Sequence, residues 1–440
     1  MITTPDDTLA PPPLDELDPS QVRAVEMMCT ARVGIVTGGP GTGKTHCLRH
    51  ALDHFDASTP RVSYALACPT GKGARRMTEL TGRAAQTVHR LLGWYPPEMR
   101  FLRGPESPIA ADVVIVDEAS MLDLRLADSL LAAIGRGTRL VLIGDHDQLP
   151  SVGPGAVLAD MIRSGRVPVA RLTTLHRAAA ERWVASQAPV ILRGEVPDLR
   201  ERADFLFVER DGRDDAVDAL VGCFGRGSVT GRALLDREVF PEGIQVLVPQ
   251  NVGRAGADVM NARLQRMLNA SALSTPDRWR IGDQEIGCGD RVIQTKNFYD
   301  PSDESRDVMN GETGVVTALS ERELEVCFDD GDDDDDYDYG KVITYDRDKA
   351  RHLRLAYALT IHKAQGSEFA WVVVLCHSTH TRMLSRNLLY TAVTRAREGV
   401  VLVGDRVGLE RAVKNVRDAR RNTGLAERLR CVAEAAGDGR

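Results

Sequence analysis

Seven short runs of this chain are apolar from end to end rather than at alternate positions. They are ARVGIVTG (31–38), VSYALACP (62–69), DVVIVDE (112–118), TRLVLIGD (138–145), IQVLVPQ (244–250), WVVVLC (371–376) and GVVLVGD (399–405). A strand of that kind must be covered on both faces, as in a parallel sheet packed between helices. Helix-like stretches separate most of the runs, which is the α/β arrangement. The runs fall into two groups, before and after about residue 170, so two sheets are expected. Over 270–351 the rhythm changes. Short pieces such as DRVIQTKNF, TGVVTALS, ELEVCFD and KVITYD, separated by Gly, Asp and Asn turns, predict a small antiparallel β insertion.

The first run opens onto GGPGTGKT (38–45), and HCLRHALDHF follows as a helix. Strand, glycine-rich loop, Lys, Thr and helix in that order form a phosphate-binding loop. Its backbone N–H groups and the helix N-terminus favour phosphate oxygens. Gly39, Pro40, Gly41, Thr42 and Gly43 form the cradle. Lys44 is placed for the β- and γ-phosphates, and the Thr45 hydroxyl for Mg²⁺. The run 112–118 ends in Asp117, a second Mg²⁺ ligand, and Glu118, placed to take a proton from an attacking water. An acidic pair after an apolar strand is common by chance and becomes specific only with the loop upstream. The run 138–145 leads into DHDQLPSVGPG, where Gln148 is a candidate γ-phosphate sensor.

The composition sets outer bounds. Of 440 residues, 43% are hydrophobic and 27% charged, a globular balance. The net charge of −7 argues against a basic protein that coats nucleic acid, although not against a local basic channel. Residues 329–338, DDGDDDDDYD, hold eight Asp; without them the balance is 56 basic against 55 acidic residues. This run reads as a solvated hairpin tip, and alternatively as an acidic strip competing for a basic channel. No apolar run reaches the ~20 residues of a membrane helix. No secretory signal is legible at the N-terminus, so a cytoplasmic location is expected. The eight Cys are scattered without a CxxC pair, which predicts reduced thiols and no zinc site. His46, His50 and His54 share a helix face without a completing carboxylate or Cys. Like His377 and His380, they read as structural or solvated.

Further motifs follow in a fixed order: LDPSQVRAVE (17–26), LACPTGKGARRMTELTG (66–82), AQTVHRLLG (85–93), LTTLHRAA (172–179), IQVLVPQNVGRAGADVMNARLQ (244–265), GDRVIQTKNFYD with VMNGETGVV (289–316), LTIHKAQGSEF (359–369), LLYTAVTRARE (388–398) and VKNVRDARRNTGLAERL (413–429). Together they resemble the RecD-like branch of the superfamily 1 helicases, across about residues 17–430. The resemblance implies two RecA-like α/β domains with parallel sheets. It also implies a short pin insertion in the first and a small antiparallel, SH3-like β-barrel insertion in the second. The expected layout is a disordered leader at 1–16, a first ATPase domain at 17–93 and 109–170, and a pin at 94–108. The second domain is expected at 171–269 and 352–440, with the barrel at 270–351.

The activity implied is an ATP- and Mg²⁺-dependent motor moving 5′ to 3′ on single-stranded DNA and separating forked duplex DNA in recombination, repair or replication. A monomeric motor with a loading or recombination partner and no membrane association is expected. By the same resemblance Gln21 reads adenine, Glu368 lies at the nucleotide, and Arg177 and Arg395 reach its phosphates. Because both arginines come from the second half, ATP would draw the two domains together and hydrolysis would release them. Pro69, Thr70, Gly71, Lys72, Thr87 and His89 are expected to contact DNA from the first domain, and Thr360, His362 and Ser367 from the second. Such contacts grip phosphates rather than read bases.

Two features depart from the family pattern. Ala178 stands where a Gln usually follows the arginine, and the first motif begins at residue 17, so the large N-terminal accessory region of some relatives is not expected. In the pin stretch, Trp94 is read either as a wedge or as a core side chain. The rival functions are a DNA-stimulated ATPase that remodels protein–DNA complexes without unwinding and a DNA-binding subunit of a recombination or conjugation complex. An RNA substrate is a third alternative. An AAA+ remodeller fits less well, having no place for LTIHKAQGSEF or LLYTAVTRARE.

Overall fold

The computed structural model describes residues 17–174, 182–224, 243–274, 277–299, 306–328, 341–419 and 421–437. The chain divides into two compact units, Met1–Ala180 with Ala419–Arg440, and Glu181–Asp418.

The first unit carries β1 (Val33–Gly38), β2 (Tyr64–Cys68), β3 (Ala85–Thr87), β4 (Trp94–Tyr95), β5 (Arg100–Phe101), β6 (Val113–Val116), β7 (Arg139–Gly144) and β8 (Val169–Leu172). Six of them form a parallel sheet in the order β3-β2-β6-β7-β1-β8. Alternate residues serve opposite faces. Val36, Ile115, Val141 and Ile143 pack with Ala24, Met28, Leu48 and Phe55. Ile35, Val114, Val116 and Leu142 pack with Val88, Leu126, Leu130 and Leu158. The unbroken apolar runs are thus used on both sides, each buried Val, Ile or Leu contributing about 1.5–3 kcal/mol.

The first helix, Pro19–Thr30, begins with a reciprocal cap. The Asp18 carboxylate accepts from the Ser20 and Gln21 N–H groups, and the Gln21 side chain accepts from the Asp18 N–H. β4 and β5 make a two-stranded antiparallel hairpin within the stretch expected to hold a pin. The helix Leu425–Gly437, grouped by sequence with the second half, belongs to the first unit. Arg421 donates to the Gly153 carbonyl (2.6 Å), the Thr423 hydroxyl donates to Asp160, and Leu425 and Leu429 pack against the core of the first unit. Its periodicity announces an amphipathic helix but cannot say which core will cover the apolar side.

The second unit carries β9 (Phe205–Glu209), β10 (Ile244–Val248), β11 (Trp279–Ile281), β12 (Gln284–Ile286), β13 (Arg291–Gln294), β14 (Thr313–Leu319), β15 (Leu324–Phe328), β16 (Lys341–Tyr345), β17 (Leu353–Leu355), β18 (Ala358–Thr360), β19 (Phe369–Cys376) and β20 (Ala396–Gly404). A five-stranded parallel sheet runs β18-β10-β19-β20-β9. The expected insertion is an antiparallel sheet, β16-β15-β14-β13-β17, beside the β11–β12 hairpin. One hydrophobic core runs from Val246 and Val373 through Met260 and Leu264 to Trp279, Val292, Val326 and Tyr345.

A buried carboxylate marks the same junction. Asp290 accepts from the Gly287 N–H (2.8 Å), Gln265 Nε2 (2.6 Å), Asn269 Nδ2 (2.9 Å) and the Tyr357 hydroxyl (2.8 Å). Burial raises its carboxyl above the usual range, and the four donors offset part of that rise. The acidic run 329–338, between β15 and β16, lies outside the described residues.

Candidate nucleotide site and nucleic-acid interface

Three adjacent parallel strands of the first unit end side by side. The phosphate loop follows β1, Asp117 and Glu118 follow β6, and Asp145 with Gln148 follows β7. Ligands bind at such carboxyl ends in open α/β sheets. The loop is pre-shaped by its own bonds. The Thr42 hydroxyl donates to the Gly39 carbonyl (2.8 Å), and Lys44 Nζ donates to the carbonyls of Gly38 (2.7 Å) and Gly39 (3.0 Å). At Gly38 a Cβ would lie 2.6 Å from Thr42 Oγ1 and 2.8 Å from the Leu172 oxygen, so only glycine fits. Gly43, at φ 87°, sits left-handed at the start of the helix Lys44–Ala57 and offers no side-chain cap. The first N–H groups of the helix therefore face the loop without a capping side chain.

Asp117 and Glu118 are both half-buried. Burial, then the Glu118 charge, pushes the Asp117 carboxyl up to about 6; the Lys44 and Arg76 cations pull the other way. Glu118 has φ 52°, a left-handed conformation rare for a non-glycine residue. Arg76, on the helix Gly71–Thr81, was not singled out by sequence. Its only signal is membership of the motif after Thr70; the β2–β6 pairing brings that helix to Asp117.

Gln148 is buried and donates through Nε2 to Asp145 Oδ2 (3.2 Å). Gln21 is fully buried. Its Oε1 accepts from the Asp18 N–H (3.1 Å) and its Nε2 reaches the Thr42 carbonyl (3.5 Å). The side chain expected to read adenine thus also braces the first helix against the phosphate loop.

Of the two candidate arginines, Arg177 lies outside the described residues, as does Ala178. Arg395 is 3% exposed in the second unit. It donates to the Thr391 carbonyl (3.1 Å), the Ser367 carbonyl (3.2 Å) and Thr394 Oγ1 (3.5 Å), all neutral acceptors. Glu368 is exposed beside it.

The candidate DNA residues of the first unit gather at one sheet edge, since β2 and β3 pair with Cys68 opposite Thr87. Thr70 and Thr87 each cap a helix, accepting from the Gly73 and Arg90 N–H groups at 3.1 Å. Each hydroxyl proton stays available for a phosphate oxygen. His89 is exposed, with its ring 5.6 Å from Phe101 and 6.3 Å from Trp94. Desolvation lowers its pKa. Trp94 is 39% exposed and meets Phe101 edge-on at 5.0 Å, so it does not enter the core. In the second unit, Thr360 and Ser367 are 5% and 3% exposed, more enclosed than a surface phosphate contact requires. His362 is half-buried.

His377 and His380 are buried and hydrogen-bonded to backbone, as a structural reading expects. All eight cysteines are unpaired. Among the described residues no helix is long and apolar enough to cross a membrane.

Comparison with known proteins agrees with this geometry. The AAA domain family matches residues 21–154, and the UvrD-like helicase C-terminal domain family matches 355–403. The chain is 37% identical over 416 residues to the ATP-dependent RecD2 DNA helicase of Deinococcus radiodurans, covering 94% of this chain and 52% of that protein. It is 33% identical over 452 residues to the RecBCD enzyme subunit RecD of Mycolicibacterium smegmatis, covering 93% and 74%. It therefore spans about half the length of the first relative and about three quarters of the second. Among solved structures, Pif1 helicase from Bacteroides in complex with ADP-AlF3 and ssDNA matches with a TM-score of 0.52 at 21% identity, covering 88% of this chain and 92% of that one. Pif1 helicase from Candida albicans gives 0.52 at 19%, covering 94% and 99%. At these identities the structures speak for the fold, and the sequence relatives for the family. The chain belongs to the RecD-like helicase family.

Proposed function

We propose that this chain is an ATP-dependent motor that moves 5′ to 3′ along single-stranded DNA and separates strands at a fork. The observation that carries the reading is the convergence of Lys44, Asp117, Glu118 and Gln148 at the ends of three neighbouring strands. The donor set fits a nucleotide with Mg²⁺: hard oxygen ligands from Thr45 and Asp117, a cation at Lys44, and glycines that expose backbone N–H groups. Bound Mg²⁺ neutralises charge developing on the phosphates.

The chain's own groups do the rest. Lys44 exchanges its carbonyl partners for phosphate oxygens. Glu118 takes the proton of the attacking water, and Gln148 positions that water. Arg395, held by neutral acceptors, can leave them for phosphate without breaking an ion pair, and Arg177 is assigned the same task. Gln21 and Glu368 bound the base side of the nucleotide. Hydrolysis is coupled to closing and opening of the two units, which carry single-stranded DNA over Thr70, Lys72, Thr87 and His89 and over the loop holding Thr360, His362 and Ser367. The β4–β5 hairpin serves as the pin, and the antiparallel insertion as a small SH3-like barrel. A monomer acting with a loading or recombination partner fits the RecBCD membership of the mycobacterial relative.

The pin strands are only two residues long. That shortness favours, as a second reading, a translocase that strips proteins from DNA without unwinding it. Strand displacement on duplexes bearing only a 5′ or only a 3′ tail, with and without ATP, tests both. Displacement from the 5′-tailed duplex alone is expected. ATP turnover without displacement from either selects the second reading.

A further inference from the structure

We propose that His146 is a positioning residue of the nucleotide site, fastening the turn that carries Gln148 to the strand that carries the phosphate loop. The inference rests on the ATPase reading above.

β1 and β7 are hydrogen-bonded neighbours, with Thr37 opposite Gly144. Thr37 directly precedes the phosphate loop, and its side chain is 1% exposed. Its Oγ1 lies 2.9 Å from Nδ1 of His146, two residues beyond the end of β7. The other ring nitrogen, Nε2, is 3.7 Å from Asp147 Oδ2. With Nε2 protonated, Nδ1 accepts the Thr37 proton. With both nitrogens protonated, Nδ1 donates to Thr37 instead, and the link survives either way. The turn is also ordered from within: Asp145 Oδ1 accepts the Asp147 N–H (3.1 Å), and Asp145 Oδ2 accepts Gln148 Nε2 (3.2 Å). Asp145 therefore aims Gln148, while His146 joins the turn that Asp145 builds to β1.

This division of labour predicts where the loss appears. The loop keeps its shape through the Lys44 and Thr42 bonds to Gly38 and Gly39, none of which involves His146. Nucleotide binding is then insensitive to His146. Placement of Gln148 at the reacting phosphate depends on it, and small errors of placement act on turnover. No sequence motif carries this signal, because the contact pairs residues 109 positions apart.

The test uses the full chain with saturating single-stranded DNA. It measures ATP turnover, affinity for a fluorescent ADP analogue, and melting temperature. His146→Ala is expected to lower kcat about five- to tenfold, the size of one lost hydrogen bond, with ADP affinity unchanged within about twofold. His146→Asn, whose amide can take the Nδ1 position, restores kcat to within about twofold. Thr37→Val, which keeps shape and removes the hydroxyl, falls as far as His146→Ala, and the double variant falls no further. Full kcat in His146→Ala, an Asn variant as slow as the Ala variant, additive losses, or parallel losses of affinity and turnover each overturn the inference. Should His146→Ala not fold, Thr37→Val and His146→Asn decide by the same criteria. A wild-type chain that hydrolyses no ATP overturns the motor reading instead. A wild-type chain that turns over at the rate of His146→Ala overturns this inference alone.

Discussion

Asp160 accepts a hydrogen bond from the Thr423 hydroxyl, although 263 positions separate the two residues. The carboxylate is 1% exposed, and Arg163 holds its other oxygen at 2.6 Å. A buried charge with few donors is costly to leave short of one. Thr423→Val should therefore destabilise the protein by about 1–2 kcal/mol. Chemical denaturation checks this: an unchanged midpoint with an unchanged slope would mean the tail contributes nothing to the first unit.

Lys44→Ala removes the cation of the phosphate loop. ATP turnover should fall about a hundredfold or more, because the proposed function sets the lost group against the charge of the transferring phosphoryl. The fold should persist, since the partners of Lys44 are carbonyls of its own loop. Turnover and circular dichroism on one preparation separate chemistry from folding.

Asp117 links stability to pH. Its carboxyl, raised to about 6, lies above the unfolded carboxylate value, so its contribution to stability is full below that unfolded value and is lost as pH rises through about 6. Asp117→Asn should therefore stabilise the nucleotide-free protein at pH 8, by about 1–2 kcal/mol, and change little at pH 4. The same substitution should abolish hydrolysis. Melting curves at the two pH values are decisive: a larger gain at pH 4 than at pH 8 would reverse the sign.

The exposed tip of the hairpin gives a fourth prediction. Met99 is 79% exposed at φ 49°, between strands that hold Trp94 against Phe101. Replacing residues 95–100 with a short glycine linker should leave DNA-stimulated ATP turnover within about twofold and reduce strand displacement at least tenfold. Equal losses in both assays would assign the hairpin to DNA binding rather than separation.

Much of this was legible in the sequence, for identifiable reasons. The seven apolar runs became β1, β2, β6, β7, β10, β19 and β20, because strands covered on both faces are mostly apolar, with the buried polar Thr37 and Gln245 each hydrogen-bonded. β3, β8, β9 and β18 were not among those runs, although β9 contains the apolar stretch FLFV. They lie at sheet edges, and β3 and β18 are only three residues long. Phosphate-loop chemistry was readable because its residues are contiguous. The Thr37–His146 bond and the field of Arg76 on Asp117 were not, because they exist only once strand order is known. Thr360 and Ser367 have the right chemistry for DNA and yet are enclosed, since spacing carries no information on exposure.

The junction between the insertion and its sheet has a mechanical meaning. Only Ala356 and Tyr357 separate β17 from β18. Gln245 Nε2 contacts both their carbonyls (3.2 and 3.1 Å), Ala356 donates to the Arg291 carbonyl (2.9 Å), and Tyr357 is bolted to Asp290. With no slack in this joint, the insertion is a handle rather than a pendant. A displacement of the insertion is therefore expected to reach the strand that ends at Thr360 through these bonds rather than through a loop.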